Sequence, residues 1–185
     1  LEIPSHDYRA TANGTIKSGP GTQPAPPRAP RADGQLPPPA TSAKQLIEAI
    51  DWALAENSRE GSELYGRIDP TAIAIAGYSC GGLQALQVAG DERLRTVIIH
   101  NSGIFSPEDA VRLPSMDIGK DKLEKLHTPV LYIQGGPKDI AYNNGMDDFR
   151  RIEHVPAVMG NLDVGHGGTF MEPDASVGAG AAGFA

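Results

Sequence analysis

The sequence predicts an α/β protein with a mostly parallel sheet flanked by helices. After residue 41, short apolar runs alternate with helix-like segments, an order typical of parallel βαβ units. Glycine, proline and Asp-Pro turn signals separate these segments. With 185 residues, the chain is long enough to bury a sizeable core, and we expect a single domain over residues 1–185.

The two ends of the chain carry weaker signals. Residues 8–14 indicate a short strand that ends in a turn. Residues 18–40 hold half of the 16 prolines and show no apolar periodicity, which predicts an irregular loop of the length that a lid needs. Residues 173–185 have little to bury, so we expect a disordered tail.

A helix is predicted directly after the proline-rich loop. Ser42 and Gln45 have capping-box spacing, and apolar residues then recur at three- and four-residue steps. The apolar residues on the predicted core face are Leu46, Ile47, Ile50, Ala53 and Leu54. The apolar run 72–76 predicts a buried strand, and a helix-like run follows over 83–89.

The alternation continues to residue 159. Apolar runs predict strands over 94–100, 129–134 and 155–159. Helical character is expected over 120–126 and 146–153. This alternation of strands and helices indicates parallel α/β units.

A serine stands at the junction between the 72–76 strand and the 83–89 helix, in Gly77-Tyr78-Ser79-Cys80-Gly81. Gly-x-Ser-x-Gly at such a junction is typical of a nucleophile elbow, in which side chains near the strained serine would collide. The Cys80 amide then points to where an oxyanion would develop. A serine in a tight turn or a phosphate-binding loop is the alternative, but the lysine of a P-loop is absent.

A nucleophilic serine needs a histidine base and an orienting carboxylate, in the chain order Ser, acid, His. His166 is our candidate base, because glycines flank it and it follows the last predicted strand. His6 precedes the serine. The remaining histidines lie at strand ends and are interpreted as structural: His100, His127 and His154.

Asp139 is our candidate acid, because it lies just past the 129–134 strand. Asp147 and Asp148 fall in a predicted helix, where solvated or capping carboxylates are ordinary. Asp163 is a weaker candidate, because it lies only three residues before His166 and could contact the imidazole only within the same short loop. The thiol of Cys80 is interpreted as a small buried hydrophobe rather than as the nucleophile.

Taken together, these residues resemble the α/β-hydrolase superfamily of serine esterases and lipases. More narrowly, they resemble microbial and fungal proteins with Gly-x-Ser-Cys-Gly-Gly at the elbow. The segments that carry the resemblance are 77–82, 100–103, 135–142 and 161–168. The resemblance, which runs from about residue 5 to 172, implies Ser79, Asp139 and His166 as nucleophile, acid and base, with no cofactor.

The region around Ser5–Tyr8 departs from that family's pattern. In the family it follows two or more strands and a glycine-rich loop that gives the second oxyanion amide, and Asp7 stands where glycine is usual. We therefore expect a hydrolase-like fold truncated at its N-terminus. An uncovered sheet edge tends to pair, and a second copy of the chain is the candidate partner.

Composition excludes several other classes. The net charge of −7 argues against a general nucleic-acid surface, and no apolar run approaches the roughly 18 residues of a membrane span. The single cysteine cannot form an internal disulfide, and the scattered histidines suggest no metal site. The sequence does not determine the cellular compartment of the protein, and a soluble, secreted protein is favoured.

The leading hypothesis is a carboxylic-ester hydrolase that acts on a small-molecule ester through an acyl-serine intermediate. One alternative is a catalytically impaired, truncated hydrolase that binds a ligand or a partner chain. Another is a serine peptidase or amidase on the same fold.

Overall fold

The main body of the protein is built on one parallel sheet. A computed structural model describes residues 8–10, 16–18, 41–106, 116 and 118–168. Its four-stranded sheet has the order β3-β4-β5-β6, and all neighbours are parallel. The strands are β3 (Ile73–Tyr78), β4 (Leu94–His100), β5 (Val130–Gln134) and β6 (Ala157–Asn161). Earlier in the chain, β1 (Tyr8–Ala10) and β2 (Ile16–Ser18) form an antiparallel pair.

Helices connect and flank these strands. They are α1 (Ala43–Ser58), α2 (Cys80–Val88), α3 (Tyr142–Arg151) and the single turn α4 (Gly165–Gly168). A 3₁₀ helix spans Lys120–Lys125. The predicted fold class is therefore confirmed: strands and helices alternate, and the sheet is parallel.

Several boundaries differ from the sequence prediction. The helical character expected over 120–126 takes the form of a 3₁₀ helix over Lys120–Lys125. Helix α3 begins at Tyr142, before the predicted start, because the turn at Asp139 already accepts the amides of Ala141 and Tyr142. Strand β6 begins after Pro156, since proline has no amide to donate to the ladder with β5.

The core lies between the sheet and helix α2. Strands β4 and β5 supply its fully buried centre, and α2 covers one face. The largest apolar side chains there are Tyr132, Leu86, Leu94, Ile99, Ile104 and Leu126. Helix α1 has no fully buried residue; its Leu46 and Ile50 pack against the core edge. The predicted capping box is supported by a hydrogen bond from the Ser42 amide to Gln45 Oε1, 2.7 Å.

Two predicted segments lie outside the described residues. These are the proline-rich loop 18–40, apart from Ser18, and the tail 173–185. Among the described residues, β3 pairs with β4 alone, so the homo-oligomer through this edge stays a prediction. Within that same part of the chain, every helix is too short or too polar to cross a bilayer.

Candidate active site

The carboxyl ends of β3, β4 and β5 lie side by side and carry the candidate residues. Ser79 follows β3 directly and has φ 51° and ψ −119°, a left-handed conformation that a serine rarely adopts. Its amide donates to the His100 carbonyl at 3.0 Å, and its carbonyl accepts the Gly82 amide at 2.9 Å. The strained apex is therefore held by backbone contacts on both sides.

The glycines of the elbow are not equivalent. A Cβ on Gly77 would lie 2.1 Å from the Gly81 carbonyl oxygen, and a Cβ on Gly82 would lie 2.5 Å from Ser102 Cβ. A Cβ on Gly81 would meet no described atom within 4 Å. The expectation that neighbouring side chains collide is right for Gly77 and Gly82 and wrong for Gly81.

His166 lies between Ser79 and Asp139. Its Nε2 is 3.0 Å from Ser79 Oγ, and its Nδ1 is 2.6 Å from Asp139 Oδ1. An ionised carboxylate can only accept a hydrogen bond, so Nδ1 carries the proton and Nε2 is left to accept from the serine hydroxyl. The three side chains form one chain of hydrogen bonds across segments distant in sequence.

The carboxylate of Asp139 is buried and fully hydrogen-bonded. Besides His166, its donors are the amides of Ala141 (2.9 Å) and Gly135 (3.0 Å) and the side-chain amide of Asn101 (2.7 Å). Burial alone would raise the pKa of this carboxyl, but the hydrogen bonds outweigh burial and lower the pKa to about 2. Asp139 is therefore an anion at neutral pH.

The His166 turn is held against the sheet by its backbone. The carbonyl of Gly135 accepts the amides of Val164 (3.1 Å) and Gly165 (2.7 Å). A Cβ on Gly135 would lie 1.9 Å from the Gly165 carbonyl oxygen, so this approach requires glycine. The Tyr78 hydroxyl donates to the His166 carbonyl at 2.9 Å, which ties the histidine to the residue before the serine.

Cys80 is the first residue of α2, directly after Ser79. The first amides of a helix have no acceptor within the helix, so its N–H is suited to an oxyanion. Burial raises the pKa of its thiol, which disfavours the thiolate that a cysteine nucleophile needs.

The side chains of the other described histidines have different surroundings. His154 Nε2 contacts the Leu126 carbonyl at 2.9 Å, and His127 is exposed. His100 ends β4 and is half-buried, and burial lowers its pKa. His6 lies outside the described residues.

The remaining carboxylates form ion pairs. Asp163 lies 3.6 Å from Lys138 Nζ at the surface, and Asp147 pairs with Arg151 and Lys120. Asp148, expected to be solvated or capping, is fully buried and pairs with Lys120 at 2.6 Å. Burial raises the pKa of Asp148 to about 6. The expectation of a solvated or capping Asp148 was wrong, because α3 turns the face that carries this residue toward the sheet.

Sequence reasoning assigned no role to Tyr78, Asn101 or Ser102, which all contact the candidate residues. The signal available for the last two was the abrupt change from the apolar run of β4 to polar residues at its end. Among residues 41–106, 116 and 118–168, which the structure describes, we find no group of histidine, cysteine, aspartate and glutamate that could hold a metal ion.

Comparison with known families supports the sequence-based resemblance. A family model described as PETase, PET hydrolase-like, matches residues 32–121. The match includes Ser79 and the end of β4, and it stops before Asp139 and His166. It confirms the expected resemblance to the α/β-hydrolase superfamily. No curated protein gives a significant match.

Similar solved structures include enzymes from several sources. A dienelactone hydrolase from Anabaena variabilis is 19% identical, with 71% of this chain and 51% of that chain covered and a TM-score of 0.49. The esterase domain of a Rhodothermus marinus protein is 16% identical, with 70% and 61% covered and a TM-score of 0.49. MGS-M1, an α/β hydrolase from a Medee basin deep-sea metagenome library, is 18% identical, with 69% and 52% covered and a TM-score of 0.47. The chain spans between 51% and 61% of the length of these structures.

Proposed function

We propose that this protein is a carboxylic-ester hydrolase in which Ser79, His166 and Asp139 act as nucleophile, base and acid. The observation that carries the proposal is the pair of contacts made by His166: Nε2 to Ser79 Oγ at 3.0 Å and Nδ1 to Asp139 Oδ1 at 2.6 Å. A nucleophile, a base within hydrogen-bonding reach and a group that orients the base are the parts that acyl transfer needs. The match to a PET hydrolase-like family favours hydrolysis.

In the acylation step, Ser79 Oγ attacks the carbonyl carbon of the ester while His166 Nε2 takes the hydroxyl proton. The carbonyl π electrons move to oxygen, and the Cys80 amide stabilises that negative charge. The buried anion of Asp139 keeps the imidazole in the required tautomer and stabilises the imidazolium. When the intermediate collapses, the alcohol leaves with the proton from His166, and the acyl group stays on Ser79.

In the deacylation step, water takes the place of the alcohol. His166 Nε2 removes a proton from water as the oxygen attacks the acyl carbon, and returns it to Ser79 Oγ as the carboxylic acid leaves. Because His166 is partly open to solvent, with a side chain 25% exposed, water can reach the imidazole from outside the sheet.

Hydrolysis of a short-chain p-nitrophenyl ester tests the proposal, with Ser79→Ala as the variant and Ser58→Ala, on the exposed face of α1, as the matched control. We expect turnover by the wild type and the control and none above background by Ser79→Ala. A wild type without turnover, or turnover unchanged in Ser79→Ala, would contradict the proposal. A matched anilide substrate, run in parallel, separates an esterase from the peptidase or amidase alternative.

A further inference from the structure

The strand between the candidate nucleophile and the candidate acid makes contacts to both. Strand β4 lies between β3, which ends at Ser79, and β5, which leads to Asp139. The last residue of β4 and the residue after it continue the pairing on both sides: the His100 carbonyl accepts the Ser79 amide at 3.0 Å, and the Asn101 amide donates to the Ile133 carbonyl at 2.8 Å. The end of β4 therefore connects the two halves of the site.

Asn101 is unusual in its burial and its backbone conformation. It is completely buried and has φ 45°, a region that costs most residues free energy but is tolerated by asparagine. From this position its Nδ2 donates to Asp139 Oδ2 at 2.7 Å and lies 3.4 Å from the Gly165 carbonyl, beside His166. One side-chain amide thus reaches both the acid and the turn that carries the base.

The Asn101 donor acts on the oxygen of Asp139 that His166 does not use. Asp139 Oδ1 faces the imidazole, while Oδ2 accepts from Asn101 and from the Gly135 amide. Two donors on Oδ2 fix the rotation of the carboxylate about its last bond, and this rotation determines where Oδ1 lies. A small rotation would lengthen the 2.6 Å contact to His166 Nδ1.

Ser102, the next residue, makes the corresponding contact on the other side. Its Oγ donates to the carbonyl of Ser79 at 2.7 Å. The carbonyl of Ser102 accepts from Gln134 Nε2 at 2.7 Å, which anchors this residue to β5. Asn101 and Ser102, the two polar residues directly after β4, are thus anchored to both neighbouring strands, and Asn101 is the one that contacts the acid.

We propose that Asn101 is a positioning residue for acyl transfer, which sets the orientation of the Asp139 carboxylate and through it that of His166. This inference rests on the proposed function of Ser79, Asp139 and His166. Asn101 does not touch the reacting atoms, so its loss should lower kcat and leave KM nearly unchanged.

The test compares Asn101→Gly with Asn101→Asp in the full chain, with the p-nitrophenyl ester as substrate. Glycine accepts the positive φ and removes the donor, and we expect kcat to fall about 10- to 100-fold. Aspartate has the same shape but places a carboxylate oxygen against Asp139 Oδ2, and we expect a larger fall. Asn57→Gly is the matched control, because Asn57 bonds the Ile68 backbone far from the site. It should lower the melting temperature without lowering kcat.

A proton NMR measurement separates failure of this inference from failure of the proposed function. The Nδ1 proton of His166 lies in a short hydrogen bond, with 2.6 Å between Nδ1 and Asp139 Oδ1. It should give a low-field resonance in the wild type whether or not the protein turns over an ester. We expect that resonance to move or to be lost in both Asn101 variants. Unchanged kcat, or an unchanged resonance, in a folded variant would overturn the role of Asn101. If Asn101→Gly does not fold, the same criteria apply to Asn101→Asp.

Discussion

The carboxyl end of the sheet and the side of the sheet next to α1 are held together in different ways. At the carboxyl end, buried polar groups make directional contacts, as in the four donors on Asp139 and the contact of Ser102 with Ser79. On the other side, Leu46 and Ile50 of α1 pack against the core but are only partly buried. An apolar groove of about 240 Å³ remains between α1 and β3.

This difference shows where the molecule depends on position and where it depends only on burial. Apolar contacts are non-directional, so the α1 side tolerates a poorly filled groove at a modest cost in stability. Hydrogen-bond strength falls steeply with misalignment, so the carboxyl end cannot shift without losing its contacts. Substitutions in the two regions should therefore separate effects on activity from effects on stability.

The largest expected effect is on activity at the carboxyl end. His166→Ala removes the proposed base, whose Nε2 lies 3.0 Å from Ser79 Oγ, and we expect kcat/KM to fall by about 10⁴-fold or more. His154→Ala, in which the lost contact is to the Leu126 carbonyl, is the matched control and should keep its activity. If His166→Ala and His154→Ala hydrolysed the same ester at equal rates, the claim that activity depends on the carboxyl end of the sheet would be contradicted.

The next effect is on stability beneath the site. Lys120→Met leaves the buried Asp148 carboxylate without its cation, and we expect a loss of about 3–5 kcal/mol in the free energy of unfolding. Asp148 also accepts the Ile104 amide at 2.8 Å and the Tyr132 hydroxyl at 3.3 Å, so the loss disturbs three segments. Urea unfolding followed by circular dichroism measures it.

The Lys120→Met loss should depend on pH. Burial raises the pKa of Asp148 from 3.8 to about 6, so the folded state binds this proton more tightly than the unfolded state. Protonation of Asp148 therefore stabilises the folded state in full below about pH 4, and this stabilisation is lost as the pH rises through about 6. We therefore expect Lys120→Met to cost more at pH 8 than at pH 5; equal costs at both values would contradict the assignment.

A pair of glycines in the elbow gives a sharper comparison over a short distance. Gly77→Ala places a Cβ 2.1 Å from the Gly81 carbonyl, and we expect a loss of about 3 kcal/mol. Gly81→Ala meets no described atom and lies in α2, where alanine favours the helix by up to about 1 kcal/mol. Thermal unfolding of both variants checks this order, and a Gly81→Ala protein as unstable as Gly77→Ala would contradict it.

The smallest effect is expected on the α1 side. Ala53 lines the groove between α1 and β3, and Ala53→Leu adds apolar surface there. We expect a gain of about 1 kcal/mol in stability and no change in kcat. Chemical unfolding and the ester assay measure the two quantities; a fall in kcat would show that the site and the α1 side are coupled.

The fold was largely predictable because buried parallel strands are continuous apolar runs. Strand β4 begins and ends where the sequence predicts it, at Leu94 and His100. The strained conformation of Ser79 also follows from its glycine spacing. The long-range polar contacts around Ser79, Asp139 and His166 were not predictable: Tyr78 meets His166 across 88 positions, and Asn101 meets Asp139 across 38. Such contacts depend on which loops meet at the end of the sheet, and no local pattern records that.

Labelling with a fluorophosphonate probe, followed by peptide mapping, tests the central claim most directly. We expect one adduct, on Ser79, formed readily by the wild type and at a greatly reduced rate by His166→Ala. An adduct on another residue, no adduct on the wild type, or an unchanged labelling rate in His166→Ala would contradict the account.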